Sequence, residues 1–244
     1  MKKLFILALL GIMAFASLTC SAAQKLLRAG MNPTFAPFEF TNDNGEVVGF
    51  DVDIIRALGK EAGYKVEIQN LGFDGLIPAV QTGILDCAIS GMTITEARSK
   101  VVAFSNPYYT AGLLVMVRKD NKDIKSYADL KGKTIACQIG TTGENKSRMA
   151  GAKSVVAYNT QVEAAMELVQ GTADAVINDV PVVVFYLKTP AGKNCKAVGD
   201  VLEAEEYGIA FSKKNPQLVK DMNKALDTLK KNGTYDKIYA KWFN

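Results

Sequence analysis

Asp51 and Asp53 stand one residue apart in the segment Gly49–Ala62, GFDVDIIRALGKEA. Carboxylates at such close spacing are the raw material of general acid–base chemistry. The local pattern argues for a structural use instead. Asp51 is placed to cap a helix whose first turn also holds Asp53, where negative charge meets the positive end of the helix dipole. Ile54, Ile55, Leu58 and Ala62 recur at helical spacing, and Gly63 suits the left-handed residue that ends a helix. A third carboxylate, Asp179, ends the apolar run DAVIND, where an unpaired charge is costly and wants a cationic partner; the plain alternative is that it caps the segment beginning at Pro181. Just as informative, the chain contains no histidine. That removes the commonest general base, the usual catalytic triads and most zinc sites. Gly132-Lys133-Thr134 ends like a phosphate-binding loop, but Tyr127 stands where that pattern requires glycine.

The elements that must carry these residues alternate. The pattern reads as strand 26–31, helix 51–62, strand 64–68, helix 74–82 and strand 86–90. After Val101–Phe104 comes an extended run, Gly112–Arg118. A second βα unit then begins at Thr134–Cys137, followed by helices 143–150 and 161–169 and strand 174–178. The run Val80–Ser90 resembles Val169–Asn178 with one residue deleted, which suggests two similar halves. Alternation of strand and helix implies parallel sheet in both. The strands end in polar residues, Ser90-Gly91 and Asn178-Asp179, at the C-terminal edge where α/β sheets bind ligands. Pro216–Lys230 is amphipathic, with Leu218, Met222, Leu226 and Leu229 on one face that is expected to pack on the first half.

The N-terminus combines Met1-Lys2-Lys3, an apolar run from Leu4 to Leu18, and Cys20-Ser21-Ala22-Ala23. This reads as a secretory signal, residues 1–23, with cleavage after Ala23 and a run too short to span a bilayer comfortably. Lipid attachment at Cys20 is the rival, disfavoured by Ser17 and Thr19 at positions that lipoprotein signals fill differently. Of four cysteines, Cys87, Cys137 and Cys195 then remain, odd in number and widely spaced, so buried thiols are expected rather than a disulfide framework. The net charge of +4 is spread singly along the chain, which argues against nucleic acid.

GFDVDIIRAL, SGMTITEARSKVVAFSNPYY, GLLVMVRKD, the Asn178-Asp179 strand end, AVGD and LKKNGTYDKIYAKWF together resemble solute-binding protein family 3, the periplasmic polar amino-acid-binding proteins of bacterial ABC transporters. The glutamine-binding members are the nearest. The resemblance implies an α/β fold of two Rossmann-like lobes joined by two hinge strands, a type II periplasmic binding protein. Lobe 1 would comprise residues 24–111 and 206–244, and lobe 2 residues 112–205. It further implies a monomer that uses no cofactor or metal, captures a free L-amino acid and hands it to an ABC permease.

In the family, an arginine in a T-x-T-x-x-R segment, here Arg98, holds the ligand α-carboxylate, with Gly91, Met92 and Thr93 beside it. Asp179 matches the acceptor of the α-ammonium. Phe35 and Phe73 match the aromatic pair that sandwiches the side chain, while Phe38 and Phe40 belong to the core. Gln138 and the loop Gly140–Glu144 are the second lobe's share, with the N–H groups of Thr141 and Thr142 at a helix start suited to an anion. Asn32, Gln138 and Asn178 stand where glutamine-binding members carry Asp, Lys and His, so the pocket has lost its charges. A neutral polar side chain, glutamine first, is therefore expected. Arginine is the alternative, since a guanidinium can stack between rings and be held by neutral acceptors. A partner of a chemoreceptor is a further alternative, and an enzyme on the same fold would have to rely on Glu144.

Overall fold

The computed structural model describes residues 24–244. The expected signal peptide and Cys20 lie outside this range. The chain begins with β1 (Lys25–Met31), β2 (Thr34–Phe35), β3 (Glu39–Thr41), β4 (Val47–Val48), α1 (Phe50–Ala62), β5 (Tyr64–Asn70) and α2 (Phe73–Thr82). It continues through β6 (Cys87–Ala88), α3 (Glu96–Ser99), β7 (Ala103–Phe104), β8 (Tyr109–Arg118), β9 (Thr134–Gln138) and α4 (Thr142–Met149). The remainder is β10 (Ser154–Tyr158), α5 (Gln161–Gln170), β11 (Ala175–Asp179), α6 (Val180–Leu187), β12 (Cys195–Val198), β13 (Ala204–Tyr207), β14 (Ala210–Phe211), α7 (Pro216–Lys231) and α8 (Thr234–Phe243).

Two large sheets and a small antiparallel one, β2-β3-β4, result, in an α/β fold of two lobes. The first large sheet has the order β5-β1-β6-β14-β7 and the second β10-β9-β11-β8-β12, with β13 also pairing β8. Only part of each large sheet is parallel: β1 with β5 and β6, and β9 with β10 and β11. The pairs of β14 with β6 and β7, and of β8 with β11, β12 and β13, are antiparallel. The expectation of parallel sheet throughout is corrected here. Strands that arrive from the other sheet need no helical crossover, and so they can enter antiparallel. β8 and β13 are those strands, paired from Ala204↔Gly112 to Tyr207↔Tyr109.

Helix α1 also departs from the sequence reading. Its N-cap is Gly49, at φ 140°, and not Asp51. A Cβ at Gly49 would lie 2.0 Å from the Phe38 carbonyl oxygen, so only glycine fits. The N–H groups of Phe50 and Asp51 donate instead to the carbonyls of Pro37 and Phe38, satisfying the open helix end with loop backbone. Asp51 is thereby turned inward and fully buried. Gly63 ends the helix in the left-handed conformation, φ 79°.

Leu218, Met222, Leu226 and Leu229 of α7 join one core cluster with Leu27, Ile54, Ile55 and Leu58. Each such burial contributes about 1.5–3 kcal/mol. Below the cleft an aromatic cluster ties the crossing strands to the first sheet. Phe38 meets Tyr109 at 4.9 Å, Tyr207 at 5.2 Å and Phe243 of α8 at 5.5 Å between ring centroids. Cys87, Cys137 and Cys195 are buried free thiols. Among the described residues no helix is long and apolar enough to cross a membrane.

Candidate functional site

A cavity lies where the C-terminal ends of β1 and β6 face those of β9 and β11. All the sequence candidates except Met92 and Asn178 line it. Met92 is fully buried in a cluster with Leu76 and Val102. Asn178 points the other way because successive residues of a strand face opposite sides. It lines a separate, largely apolar cavity with Val182, Val183 and Tyr186, and Asp179 alone of the pair reaches the first one.

The cationic end is Arg98. It sits in α3, a short turn whose N-cap Thr95 accepts the Arg98 N–H on its hydroxyl at 3.2 Å. The guanidinium donates to the Thr93 carbonyl at 2.7 Å and, across the cleft, to the Gly140 carbonyl at 3.0 Å. It lies over the Phe73 ring, 5.3 Å from the centroid. Burial lowers its pKa, while Glu205, Asp179 and Tyr207 push back in favour of the charge. Opposite it, α4 opens on the cavity through Thr141 and Thr142, with Thr141 as its cap. A helix start facing an arginine is a pair of donors suited to a carboxylate.

The anionic side is larger than the sequence suggested. Asp179 makes no side-chain cap bond; its Oδ1 accepts the Tyr207 hydroxyl at 2.6 Å. Burial raises its pKa well above the carboxylate range, and neighbouring Glu205 raises it further. Glu205 in turn accepts from the hydroxyls of Thr93 at 2.9 Å and Thr142 at 3.1 Å. Glu39, absent from the sequence candidates, also lines the cavity and is fully buried. Ser90, a second omission, donates to Glu39 Oε1 at 2.6 Å. Burial pushes the Glu39 carboxyl well above its usual range, and Asp51 adds to the effect. The signal was present in PFEF: a lone glutamate between two phenylalanines, on the strand face opposite theirs.

The amides that were expected to meet the side chain are largely occupied by one another. Gln138 Nε2 donates across the cleft to Asn32 Oδ1 at 3.0 Å and also to the Asn159 carbonyl at 3.1 Å. Asn32 Nδ2 donates to the Leu71 carbonyl at 3.0 Å, and Thr34 donates to Asn32 Oδ1 at 2.7 Å. Asn32 and Gln138 therefore form a bar across the cavity rather than a free polar surface. Phe35 and Phe73 both contribute rings to the lining. Gly91, at φ 50°, lets the Phe35 ring approach, since a Cβ there would lie 2.6 Å from it. Glu144 holds Arg148 at 2.6 Å and accepts the Gly140 N–H at 2.7 Å, a loop-bracing role with no place in the cavity lining.

Residues 27–244 match the bacterial extracellular solute-binding proteins, family 3. The chain is 38% identical over its whole length to "ABC transporter arginine-binding protein 1" of Escherichia coli (strain K12), of which it covers 99%. Among solved structures, "An ancestral arginine-binding protein bound to arginine" superposes with a TM-score of 0.86 at 46% identity, over 90% of this chain and 98% of that one. "An ancestral arginine-binding protein bound to glutamine" does so equally, with a TM-score of 0.86 at 46% identity over 89% and 97% of the two chains. Together with two mixed sheets that meet at a charged, ring-lined cleft, these likenesses place the chain: it belongs to family 3 of the bacterial extracellular solute-binding proteins.

Proposed function

We propose that this solute-binding protein is a periplasmic receptor for a cationic L-amino acid, arginine first, which it delivers to the permease of an ABC transporter. The observation that carries the ligand is Glu39: a fully buried carboxyl in the cavity lining, with no lysine or arginine paired to it among the described residues. A buried acid without a counter-charge is costly until a cation arrives. Arginine is preferred to the glutamine first expected on two grounds. The glutamine expectation rested on Asn32, Gln138 and Asn178 as free polar groups, whereas the first two bond each other and the third faces elsewhere. The relatives named above are also arginine-binding proteins by name.

In this reading Arg98 and the start of α4 take the α-carboxylate, Asp179 and Glu205 the α-ammonium, and Glu39 the guanidinium between Phe35 and Phe73. The lobe boundaries, 24–111 with 206–244 and 112–205, fall on the crossing strands β8 and β13, which serve as the hinge. Closing on ligand would create the surface that the permease reads.

Calorimetry with arginine, lysine, histidine, citrulline and glutamine tests the proposal. Arginine should bind most tightly and, at about a hundred times its Kd, stabilise the fold by roughly 2.7 kcal/mol. Tighter binding of citrulline or glutamine than of arginine would overturn it.

A further inference from the structure

Three buried side-chain atoms among the described residues lack a hydrogen-bond partner: Glu39 Oε2, Asp51 Oδ1 and Asn178 Nδ2. The first two belong to neighbouring buried carboxyl groups, each of which bears on the other's ionisation. The remaining oxygen of each is already served. Ser90 donates to Glu39 Oε1 at 2.6 Å, and both the Gly91 N–H and the Tyr108 hydroxyl donate to Asp51 Oδ2 at 2.8 Å. Two ionised carboxylates side by side in a dry interior repel strongly, whereas one proton shared by the pair supplies a donor where the orphan oxygens have none and leaves a single negative charge.

We infer that Asp51, which does not reach the cavity, shares one proton with Glu39 and so fixes at a single negative charge what the pair presents to the cationic side chain of the bound amino acid. Asp51 is thus a positioning residue for the ligand's charge. Through the Gly91 N–H it also fixes the turn on which the Phe35 ring rests. The inference rests on the reading of the ligand as arginine and adds a mechanism for it. Asp179 and Glu205, by contrast, are each served by hydroxyl donors and have no orphan oxygen among the described residues.

The groups that face the Glu39–Asp51 pair are uniformly acidic or neutral. Ser90 and Asp179 bear on Glu39, and Tyr108 from the segment before β8 and Tyr235 from α8 bear on Asp51. Burial is the largest influence on both carboxyls and pushes that of Asp51 up to about 6. The single charge should therefore be lost as the pH falls through that value, and arginine binding should be proton-linked there.

Calorimetry of arginine binding in buffers of differing ionisation enthalpy, from about pH 5 to about pH 8, reads this directly. Affinity should be flat above about pH 7 and fall about tenfold per pH unit well below about pH 6, with close to one proton released on binding in that acid range. Citrulline, which is uncharged, should show no such fall. In Asp51→Asn the charge must reside on Glu39 itself with fewer donors, so the acid limb should move to higher pH, while a merely structural role would weaken binding equally at every pH. Glu39→Gln should lower the arginine-to-citrulline preference by roughly thirty-fold or more. Absence of arginine binding at every pH would overturn the ligand reading and the inference with it. Tight arginine binding by the wild type with no proton release and no acid limb would overturn the inference alone, whatever the fate of the variants.

Discussion

At the scale of single residues the site is a balance of buried charge. Arg98 gains its place from Thr93, Gly140 and the Phe73 ring, and among the described residues it is the one cation lining a cavity that also holds Glu39 and Asp179. Truncating one member of a desolvated charge pair leaves the other unpaired, which costs on the order of 2 to 5 kcal/mol. Arg98→Ala and Asp179→Ala should each weaken ligand binding by roughly thirty-fold to several thousand-fold while preserving the circular dichroism of the fold; titration of either variant within threefold of wild type would remove that residue from its assigned role. Asp51 carries a stability consequence of its own. Its carboxyl is raised from 3.8 to about 6, so the native state binds more protons than the unfolded chain across that window. The stabilisation is present below pH 3.8 and is lost as the pH rises through about 6. Asp51→Asn, freed of this penalty, should gain on the ligand-free wild type by on the order of 3 kcal/mol between about pH 4 and about pH 7. Urea denaturation of both proteins at the two pH values measures it, and a constant difference would show that the Asp51 carboxyl is not burdened by its burial.

At the scale of elements, short turns do most of the positioning. α3 is a single turn held by its Thr95 cap, and it places Arg98. The left-handed Gly91 following Ser90 brings the Phe35 ring close to the backbone that Asp51 anchors. Gly91→Ala should cost about 1–2 kcal/mol of stability through its positive φ, and it should also displace the ring. Its ligand affinity should therefore fall by more than the same variant's melting temperature would suggest, and an unchanged Kd would show that Phe35 is no platform for the ligand. The longer elements were the more legible ones. The stripe on α7 and the cap at Gly63 follow from 3.6-residue periodicity and from glycine's access to positive φ. α6 was not legible, because VPVVVFYL is rich in β-branched residues that favour strands. Pro181 in its first turn, and the packing of Val183 into the second core, decide for helix.

At the scale of the whole molecule, the two sheets communicate through two strands and a few bonds across the cleft. Gln138 to Asn32 and Arg98 to Gly140 connect groups at and just past the end of β9 on one side to groups that follow β1 and β6 on the other. If ligand contacts come from both sides, closure should be ligand-dependent. Small-angle scattering should show a smaller radius of gyration with saturating arginine than without it, and equal values would mean a rigid cleft or a ligand held by one lobe alone.

Local patterns alone determined much of this protein: alternating strands and helices in two similar halves, the polar strand ends, the absence of histidine chemistry, and Asp179 as a charge to watch, whereas Arg98 was marked only by the resemblance to the family. These depend on periodicity and on short-range stereochemistry, which act within a few residues. The direction of β8 and β14, the inward turn of Asp51, the outward turn of Asn178 and the entry of Glu39 into the site were decided by tertiary structure. Each of these depends on what a strand or helix end meets from a distant part of the chain. A carboxylate reads the same in sequence whether it will meet water, a backbone N–H or a second carboxyl. Only the fold fixes which, and with it the charge that the cavity offers its ligand.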